Sequence, residues 1–287
     1  MNIPPYWARA QYKGKDHDGH SQVFDASAWS FTSMQEARDA AAARAKQIFE
    51  RFTGGDELKR YEYHDRPIRE EILKQIGSDD PPAALVTRNR YGALVLNCRN
   101  VMFVDVDFDR PPPAGIVAGV LASFSRKRRA ERERAIREAQ TAKIYAWAEQ
   151  NPGRGFRLYR TREGLRLLFT DRLYEPLSDE TAATLADLDA DPLYVKLTRK
   201  QECFRARLTS KPWRCGAARP PVSYPWENTQ AEARYRKWEA QYTQRDARFR
   251  VCEFVKAFGP AGRDETIRRI VEAHDRATRI DTQAELA

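Results

Sequence analysis

The sequence has few of the side chains on which many hydrolytic, redox and zinc enzymes depend. Only four cysteines and four histidines occur among its 287 residues. The cysteines are scattered without close pairs, which indicates reduced thiols and not a disulfide framework or a zinc knuckle. His17 and His20 share a loop with Asp16 and Asp18, where a solvated polar turn is favoured over a metal site. Since no histidine falls in a strand motif, a histidine general base is not expected.

Long apolar runs and the common nucleotide-binding motifs are also missing. No stretch approaches the roughly 20 apolar residues that a membrane span needs. The first five residues lack the basic and apolar regions of a signal peptide, so a cytoplasmic location and no membrane partner are expected. There is no Gly-x-x-x-x-Gly-Lys loop, dinucleotide fingerprint, zinc spacing or nucleophile elbow. Metal-assisted chemistry on carboxylates is the enzymatic hypothesis that these absences leave.

Positive charge is the main compositional feature that is present. Lysine and arginine number 50 against 41 acidic residues, for a net charge of +9 and a pI of about 9.4. Such a balance favours an acidic partner, with nucleic acid first and nucleotides next. Arginine carries most of the excess, which suits two-point contacts to phosphate. A GC-rich genome also enriches arginine, so charge alone does not decide the partner.

The most informative stretch is 101–108, Val-Met-Phe-Val-Asp-Val-Asp-Phe. Its near-continuous apolar run predicts a central strand covered on both faces. Strand geometry places Asp105 and Asp107 on one face, roughly 7 Å apart. Two neighbouring carboxylates repel each other and lose hydration, so they require a cation or basic partners. The pair is therefore either a metal or catalytic site, or a polar rim neutralised by arginine.

Two predicted hairpins supply arginines near this strand. The first, 84–90 with 93–97, is expected to pair with 101–108 in one sheet and carries Arg88 and Arg90. The second carries Arg166, which is costly to bury unless it is paired. Arg166 is a candidate partner for the acidic pair or for a bound phosphate. A buried Arg–Asp pair without any ligand explains it equally well.

A second basic stretch, 203–214, mixes cations with aromatic residues. Arg205 and Arg207 lie on one face if the segment is a strand, and Lys211 and Arg214 follow its turn. This pattern suits a phosphate backbone with a stacked base. The alternative is a basic rim that neutralises the acidic pair.

The region 84–215 resembles the archaeo-eukaryotic primase, or primase-polymerase, superfamily. Its Asp-x-Asp motif corresponds to Phe103-Val104-Asp105-Val106-Asp107, and its small-x-His motif to Gly164-Leu165-Arg166. The resemblance implies that Asp105 and Asp107 bind Mg²⁺ or Mn²⁺ for nucleotidyl transfer. Arg166 stands in place of the family's histidine, and it can hold phosphate but cannot act as an acid or base. The third acid of the family has four candidates here, namely Asp171, Asp187, Asp189 and Asp191.

The predicted fold is α+β, with a mixed, mainly antiparallel central sheet, flanking helices and a C-terminal helical segment. We expect an N-terminal α+β unit packed on the core (1–83), a primase-polymerase-like core (84–225) and C-terminal helices (226–287). Helices are expected at 34–52, 69–76, 115–150, 177–188, 228–258 and 265–280. Strands are expected at 6–13, 58–63, 84–90, 93–97, 101–108, 156–161 and 165–170.

Three functional hypotheses follow from these patterns. The first is a divergent primase-polymerase-like nucleotidyltransferase, with metal at Asp105 and Asp107. Its phosphate-binding residues would be drawn from Arg88, Arg90, Arg166, Arg205, Arg207, Lys211 and Arg214. The second is a non-catalytic nucleic-acid-binding protein whose acidic site is silenced by arginine. The third is a structural or partner-binding protein, in which the acids and arginines pair with each other without a ligand and the other charges are solvated surface.

Overall fold

An N-terminal hairpin and helix begin the chain. The computed structural model describes residues 1–55, 67–77, 81–109 and 122–287, with 122–127 by backbone only. Strands β1 (Tyr6–Lys15) and β2 (Ser21–Ser30) pair antiparallel, and helix α1 (Met34–Thr53) packs on them through three buried alanines. The Ser33 side chain accepts the Glu36 amide at 3.1 Å, which confirms the predicted start of this helix. The strand predicted at 58–63 lies outside the described residues.

Two four-stranded antiparallel sheets form the centre of the fold. The first has the order β3-β4-β5-β9, with β3 (Glu71–Ile76), β4 (Ala84–Arg88), β5 (Leu94–Cys98) and β9 (Phe204–Arg207). The second has the order β11-β7-β8-β6, with β6 (Phe103–Asp107), β7 (Phe156–Arg160), β8 (Gly164–Phe169) and β11 (Glu253–Phe258). These sheets confirm both predicted hairpins and the mainly antiparallel α+β class.

Five further helices and a small parallel strand pair complete the described fold. The helices are α2 (Ala122–Gln150), α3 (Asp179–Asp187), α4 (Pro192–Gln201), α5 (Thr229–Asp246) and α6 (Glu265–Thr278). The pair joins β10 (Phe249–Arg250) to β12 (Glu285–Leu286). Among the described helices, none has the length and apolar character needed to cross a membrane.

The second sheet is covered on both faces. Trp147 of α2 packs against Phe156 and Phe169 on one face. On the other face, His274 of α6 contacts Phe103 and Tyr159, with ring centroids 5.4 and 4.8 Å apart. Because both faces of the sheet are buried, both sets of alternating side chains are mostly apolar, and the strands are nearly continuous apolar runs in the sequence.

The expectation that β6 is a central strand beside the first hairpin is wrong. β6 pairs with β8 and is the last strand of its sheet, while β4 and β5 belong to the other sheet. Its outer edge is covered by α4, where the Tyr194 hydroxyl donates to the Phe103 carbonyl at 2.6 Å. The Asp191 amide donates to the Asp105 carbonyl at 2.9 Å. These bonds satisfy backbone carbonyls on the outer edge of β6, so the strand can be buried although it is the last of its sheet. Its sequence therefore resembles that of a central strand.

Two predicted helices are also wrong. Residues 71–76 form strand β3, because pairing with β4 outweighs a weak local preference for helix. The helix predicted at 228–258 ends at Asp246, and the chain reverses through the fully buried Val251 and Cys252. It then forms β11, which pairs with β7. The strand pairs β3–β4 and β7–β11 therefore join residues on opposite sides of the two predicted domain boundaries. The division into three domains stays a prediction.

Candidate functional site

The β6–β8 ladder sets the geometry of the acidic pair. Asp105 lies opposite Arg166, and Asp107 lies opposite Gly164, so all four positions share one face of the sheet. A Cβ atom on Gly164 would lie 2.1 Å from the Val106 carbonyl oxygen. Only glycine permits this close approach of the two backbones. The Gly-x-Arg spacing thus places the Arg166 side chain directly across from Asp105.

Arg166 is saturated by contacts within the protein. Its Nε donates to Asp105 Oδ1 at 2.7 Å, and its Nη2 donates to Asp105 Oδ2 at 3.0 Å. Nη1 donates to the Arg207 carbonyl at 2.9 Å and lies 3.7 Å from Cys252 Sγ. Burial lowers the pKa of Arg166, but the Asp105 carboxylate, Cys252 and Tyr194 together raise it more, so the net shift is upward. With its side chain only 2% exposed, Arg166 neutralises Asp105 and has no nitrogen left without a protein partner.

Asp107 is the exposed member of the pair. Its pKa is raised, first by partial desolvation and then by the negative charges of Asp191 and Asp105, while Lys211 opposes the shift. Asp191 is therefore the third-acid candidate that the fold brings to this site. Its carboxylate accepts the Tyr194 amide at 2.7 Å and so caps α4. An acid used as a helix cap has less capacity left for a metal ion.

Two of the other third-acid candidates, Asp171 and Asp189, have partners elsewhere. Asp171 accepts the Tyr174 hydroxyl, and Asp189 lies 3.1 Å from Lys143 Nζ. In the described part of the chain, one group of three metal-ligating side chains has its ligand atoms within 4.8 Å of one another, namely Asp16, Asp18 and His20. In that loop Asp16 already accepts the backbone amides of Asp18 and His20, as the predicted polar turn requires. Within residues 1–55, 67–77, 81–109 and 122–287, the acidic pair does not belong to a preassembled three-ligand group.

Three of the predicted phosphate-binding cations gather around the acidic pair, with Arg207 near Asp105 and with Lys211 and Arg214 near Asp107. Burial, then the charges of Arg166 and Arg214, lower the pKa of Arg207 to about 10. Burial and the neighbouring arginines also lower the pKa of Lys211. Burial lowers the pKa of Arg214, although Glu163 lies 3.4 Å from its Nη2. These cations repel one another, and a bound anion would relieve that repulsion.

Two other predicted cations, Arg205 and Arg88, pair with acids of the protein itself. Arg205 donates to Glu70, just before β3, at 2.8 and 3.0 Å. Arg88 forms ion pairs with Glu71 and Glu239. These arginines hold buried or partly buried acids of the protein itself, so the structure does not bring them together with Arg207, Lys211 and Arg214.

An exposed aromatic group lies next to the cations. Trp213 sits in a short 3-10 turn (Pro212–Arg214) and is 46% exposed. Lys211 Nζ and the Arg219 guanidinium lie 5.8 and 5.6 Å from its ring centroid. Tyr91 packs edge-on at 5.2 Å, and the Arg90 guanidinium lies 4.6 Å above the Tyr91 ring. We call these five residues the aromatic–basic patch. The sequence signalled Lys211 and Trp213, within the basic stretch 203–214, and Arg90 on the first hairpin, but neither Tyr91 nor Arg219.

A cysteine, a histidine and an aspartate also line up behind Arg166. Cys252 Sγ lies 3.9 Å from His274 Nε2, and His274 Nδ1 lies 2.9 Å from Asp275 Oδ1. Cys252 and His274 are both fully buried. Burial raises the pKa of the Cys252 thiol and lowers that of His274, so both groups are neutral. The arrangement is therefore interior packing.

Comparison of the chain with protein-family models, curated proteins and solved structures gives no match. The resemblance to primase-polymerases stays a prediction that rests on the two short motifs. For the metal that this resemblance implies, the donor set is a poor fit. Both Asp105 oxygens accept hydrogen bonds from a guanidinium, whose positive charge disfavours a divalent cation at the same carboxylate.

Proposed function

We propose that this chain is a non-catalytic protein that binds single-stranded nucleic acid. The aromatic–basic patch stacks one or more bases, and Arg207, Lys211 and Arg214 contact the phosphate backbone. The acidic pair is silenced, because Arg166 neutralises Asp105 and leaves Asp107 without a second available carboxylate.

The observation that carries this proposal is the exposure of Trp213 between two cations. A large indole that is 46% exposed leaves apolar surface in water, which folding alone does not favour. Lys211 and Arg219 flank its ring at less than 6 Å. Base stacking on an aromatic side chain contributes about 1–3 kcal/mol per base and tolerates any sequence. Flanking cations add contacts to phosphate, which position the strand without reading its sequence.

The state of Asp105 argues against the catalytic alternative. Two-metal nucleotidyl transfer needs paired carboxylates that are available to the ions. Here one carboxylate holds a fully buried guanidinium with two charged hydrogen bonds. Removing that guanidinium to make room for metal would leave a hole in the interior and break its bond to the Arg207 carbonyl.

A fluorescence-anisotropy titration with a labelled single-stranded oligonucleotide tests the stacking contact. We expect Trp213→Ala to weaken binding about tenfold or more, in line with one lost stacking contact. Phe31→Ala is the matched control, since Phe31 is 55% exposed but lies outside the patch. Equal affinities of wild type, Trp213→Ala and Phe31→Ala would show that the patch does not bind nucleic acid.

A salt series tests the backbone contacts. The affinity of the wild type should fall linearly as salt rises on a double-logarithmic plot. Lys211→Gln should reduce that slope by about one unit, as expected for one lost phosphate contact. Lys46→Gln on α1, where Lys46 is 58% exposed, is the control and should leave the slope unchanged. A slope that Lys211→Gln does not change would contradict the assignment.

A second candidate function, metal-dependent nucleotidyl transfer, has one observation in its favour. The Asp107 side chain is exposed and lies within the field of Lys211, as a metal ligand beside a phosphate-binding cation would. Under this alternative Asp105 and Asp107 hold Mg²⁺ or Mn²⁺. Titration of Mn²⁺, followed by electron paramagnetic resonance, distinguishes it. Equal Mn²⁺ binding by wild type and by Asp105→Ala/Asp107→Ala would remove this candidate.

A further inference from the structure

A second basic site lies at the end of the second sheet, apart from the acidic pair. A pocket of about 450 Å³ opens between α2, the β7–β8 turn and the C-terminal residues 283–286. Its wall contains Phe108 and four arginines, namely Arg137, Arg160, Arg162 and Arg250. None of these residues was expected to bind a ligand from the sequence.

The pocket is on the opposite side of β6 from Asp107. The Phe108 amide donates to the Glu163 carbonyl at 2.8 Å, which extends the β6–β8 ladder by one residue. Consecutive strand residues point to opposite faces, so Phe108 turns toward α2 while Asp107 faces Lys211. On the α2 side, the Gln140 side chain donates to the Asp107 carbonyl at 3.2 Å. The backbone of β6 therefore separates the two sites.

Positive charge in the pocket exceeds what its wall neutralises. Glu285 is the one acid in the lining that the structure describes. Arg160 and Arg250 share Glu253, and Arg162 lies 3.7 Å from Glu163. Arg137 has no ion pair among the described residues, and its guanidinium lies 5.7 Å above the Phe108 ring.

Arg250 adds an unsatisfied donor to this group. Its Nη1 donates to the Thr282 carbonyl at 3.0 Å, but its buried Nε has no acceptor in the described part of the chain. A buried donor without an acceptor is unfavourable, and an anion held by the same guanidinium would offset part of that cost through its charge. Several guanidinium groups that converge on one cavity match the planar, two-point hydrogen bonding of phosphate.

We propose that this pocket binds a nucleoside polyphosphate. The arginines hold the phosphates, and the base packs against the part-exposed ring of Phe108. The volume falls in the usual range for small-molecule sites, about 300–1,000 Å³. This inference does not depend on the proposed function, because the two sites share no residue.

Isothermal titration calorimetry with three probes tests the anion contact. Adenosine triphosphate and inorganic tripolyphosphate should both bind the wild type, and adenosine should not. Arg137→Gln should weaken both phosphate probes about tenfold, as expected for one lost charge-assisted contact. Arg134→Gln is the control, because Arg134 lies three residues earlier on α2 and is 80% exposed. No binding of either phosphate probe, or equal effects of the two substitutions, would overturn the proposal.

A second variant tests the base contact. Phe108→Leu should weaken adenosine triphosphate several-fold and leave tripolyphosphate unchanged, which also shows that the variant folds. Unchanged binding of adenosine triphosphate would overturn the nucleoside part of the assignment. Trp213→Ala should bind adenosine triphosphate like the wild type, while Arg137→Gln should bind the oligonucleotide like the wild type. Failure of this pocket is thereby distinguished from failure of the aromatic–basic patch.

Discussion

Arg166 and Asp105 form a two-point ion pair across the β6–β8 ladder, with Nε–Oδ1 at 2.7 Å and Nη2–Oδ2 at 3.0 Å. The pair lies at the two positions that resemble the primase-polymerase motifs. The Asp105 carboxylate neutralises the charge of Arg166, and both of its oxygens accept hydrogen bonds from the guanidinium. The same residues that suggest catalysis in the sequence therefore support a neutralised site in the fold.

Loss of the Arg166 guanidinium should destabilise the protein strongly. Removing one partner of a buried ion pair costs about 3–5 kcal/mol, since the other charge is left uncompensated. We expect Arg166→Met to lower the free energy of unfolding by about this amount in urea titrations. Arg162→Met, at a turn position that is 42% exposed, is the control and should change it by about 0.5 kcal/mol or less. A loss below about 1 kcal/mol for Arg166→Met would contradict a stabilising pair.

The raised pKa of Asp107 predicts a pH-dependent effect of its removal. Because the folded chain holds this proton more tightly than the unfolded chain, the charged carboxylate destabilises the fold as pH rises above its ordinary pKa of 3.8. Asp107→Asn should therefore raise the urea midpoint at neutral pH but not at about pH 3, where the wild-type carboxyl is protonated in both states. Asp109→Asn serves as a control on an adjacent exposed acid. An identical effect of Asp107→Asn at both pH values would refute the shift.

Arg205 should prove structural and not phosphate-binding. Glu70 is 3% exposed and accepts hydrogen bonds from Arg205 at 2.8 Å and from the Thr87 hydroxyl at 2.5 Å. Arg205→Leu leaves this acid unpaired, and we expect a loss of about 3–5 kcal/mol in the free energy of unfolding. Under conditions where Arg205→Leu is still folded, it should bind the oligonucleotide with wild-type affinity. If Arg205→Leu were as stable as the wild type but bound more weakly, Arg205 would be a nucleic-acid contact.

Gly164 should not tolerate even one methyl group. Its Cβ would lie 2.1 Å from the Val106 carbonyl oxygen and 2.9 Å from Asp107 Cα, so β8 would be pushed away from β6. Overpacking of this kind costs about 1–3 kcal/mol, which thermal unfolding measures. At Gly153 a Cβ would meet no atom of the described residues within 4 Å, so Gly153→Ala is the matched control. Similar unfolding midpoints for the two variants would show that the ladder adapts.

Local signals in the sequence predicted much of the fold. The Ser33 cap, the two hairpins and the strand with the acidic pair depend on neighbouring residues, and the structure confirms each of them. The errors concern long-range pairing. Placing β6 beside β8, or β11 beside β7, requires knowledge of partners that lie about 60 to 100 residues away in the chain. Strand propensity depends on such partners, so β3 and β11 were predicted as helix.

The candidate site was predictable in part for the same reason. Strand periodicity placed Asp105 and Asp107 on one face, and the high cost of burying an unpaired Arg166 made Asp105 a candidate partner. Which of the other arginines reach this face depends on how the two sheets pack. In that packing Arg205 forms an ion pair with Glu70, and Arg88 forms ion pairs with Glu71 and Glu239. The contact of Tyr91 with Trp213 joins segments that are remote in sequence, and no local pattern predicts it.

A primer-extension assay that also records binding tests the central claim most directly. Wild-type protein is incubated with a labelled primer–template that carries a single-stranded template end, together with Mn²⁺ and deoxynucleoside triphosphates. The proposed silenced site predicts that the primer–template shifts in a native gel, that Trp213→Ala weakens the shift, and that the primer keeps its length. If the wild type extended the primer and Asp107→Asn did not, the silenced site would be contradicted and the nucleotidyltransferase hypothesis would be supported.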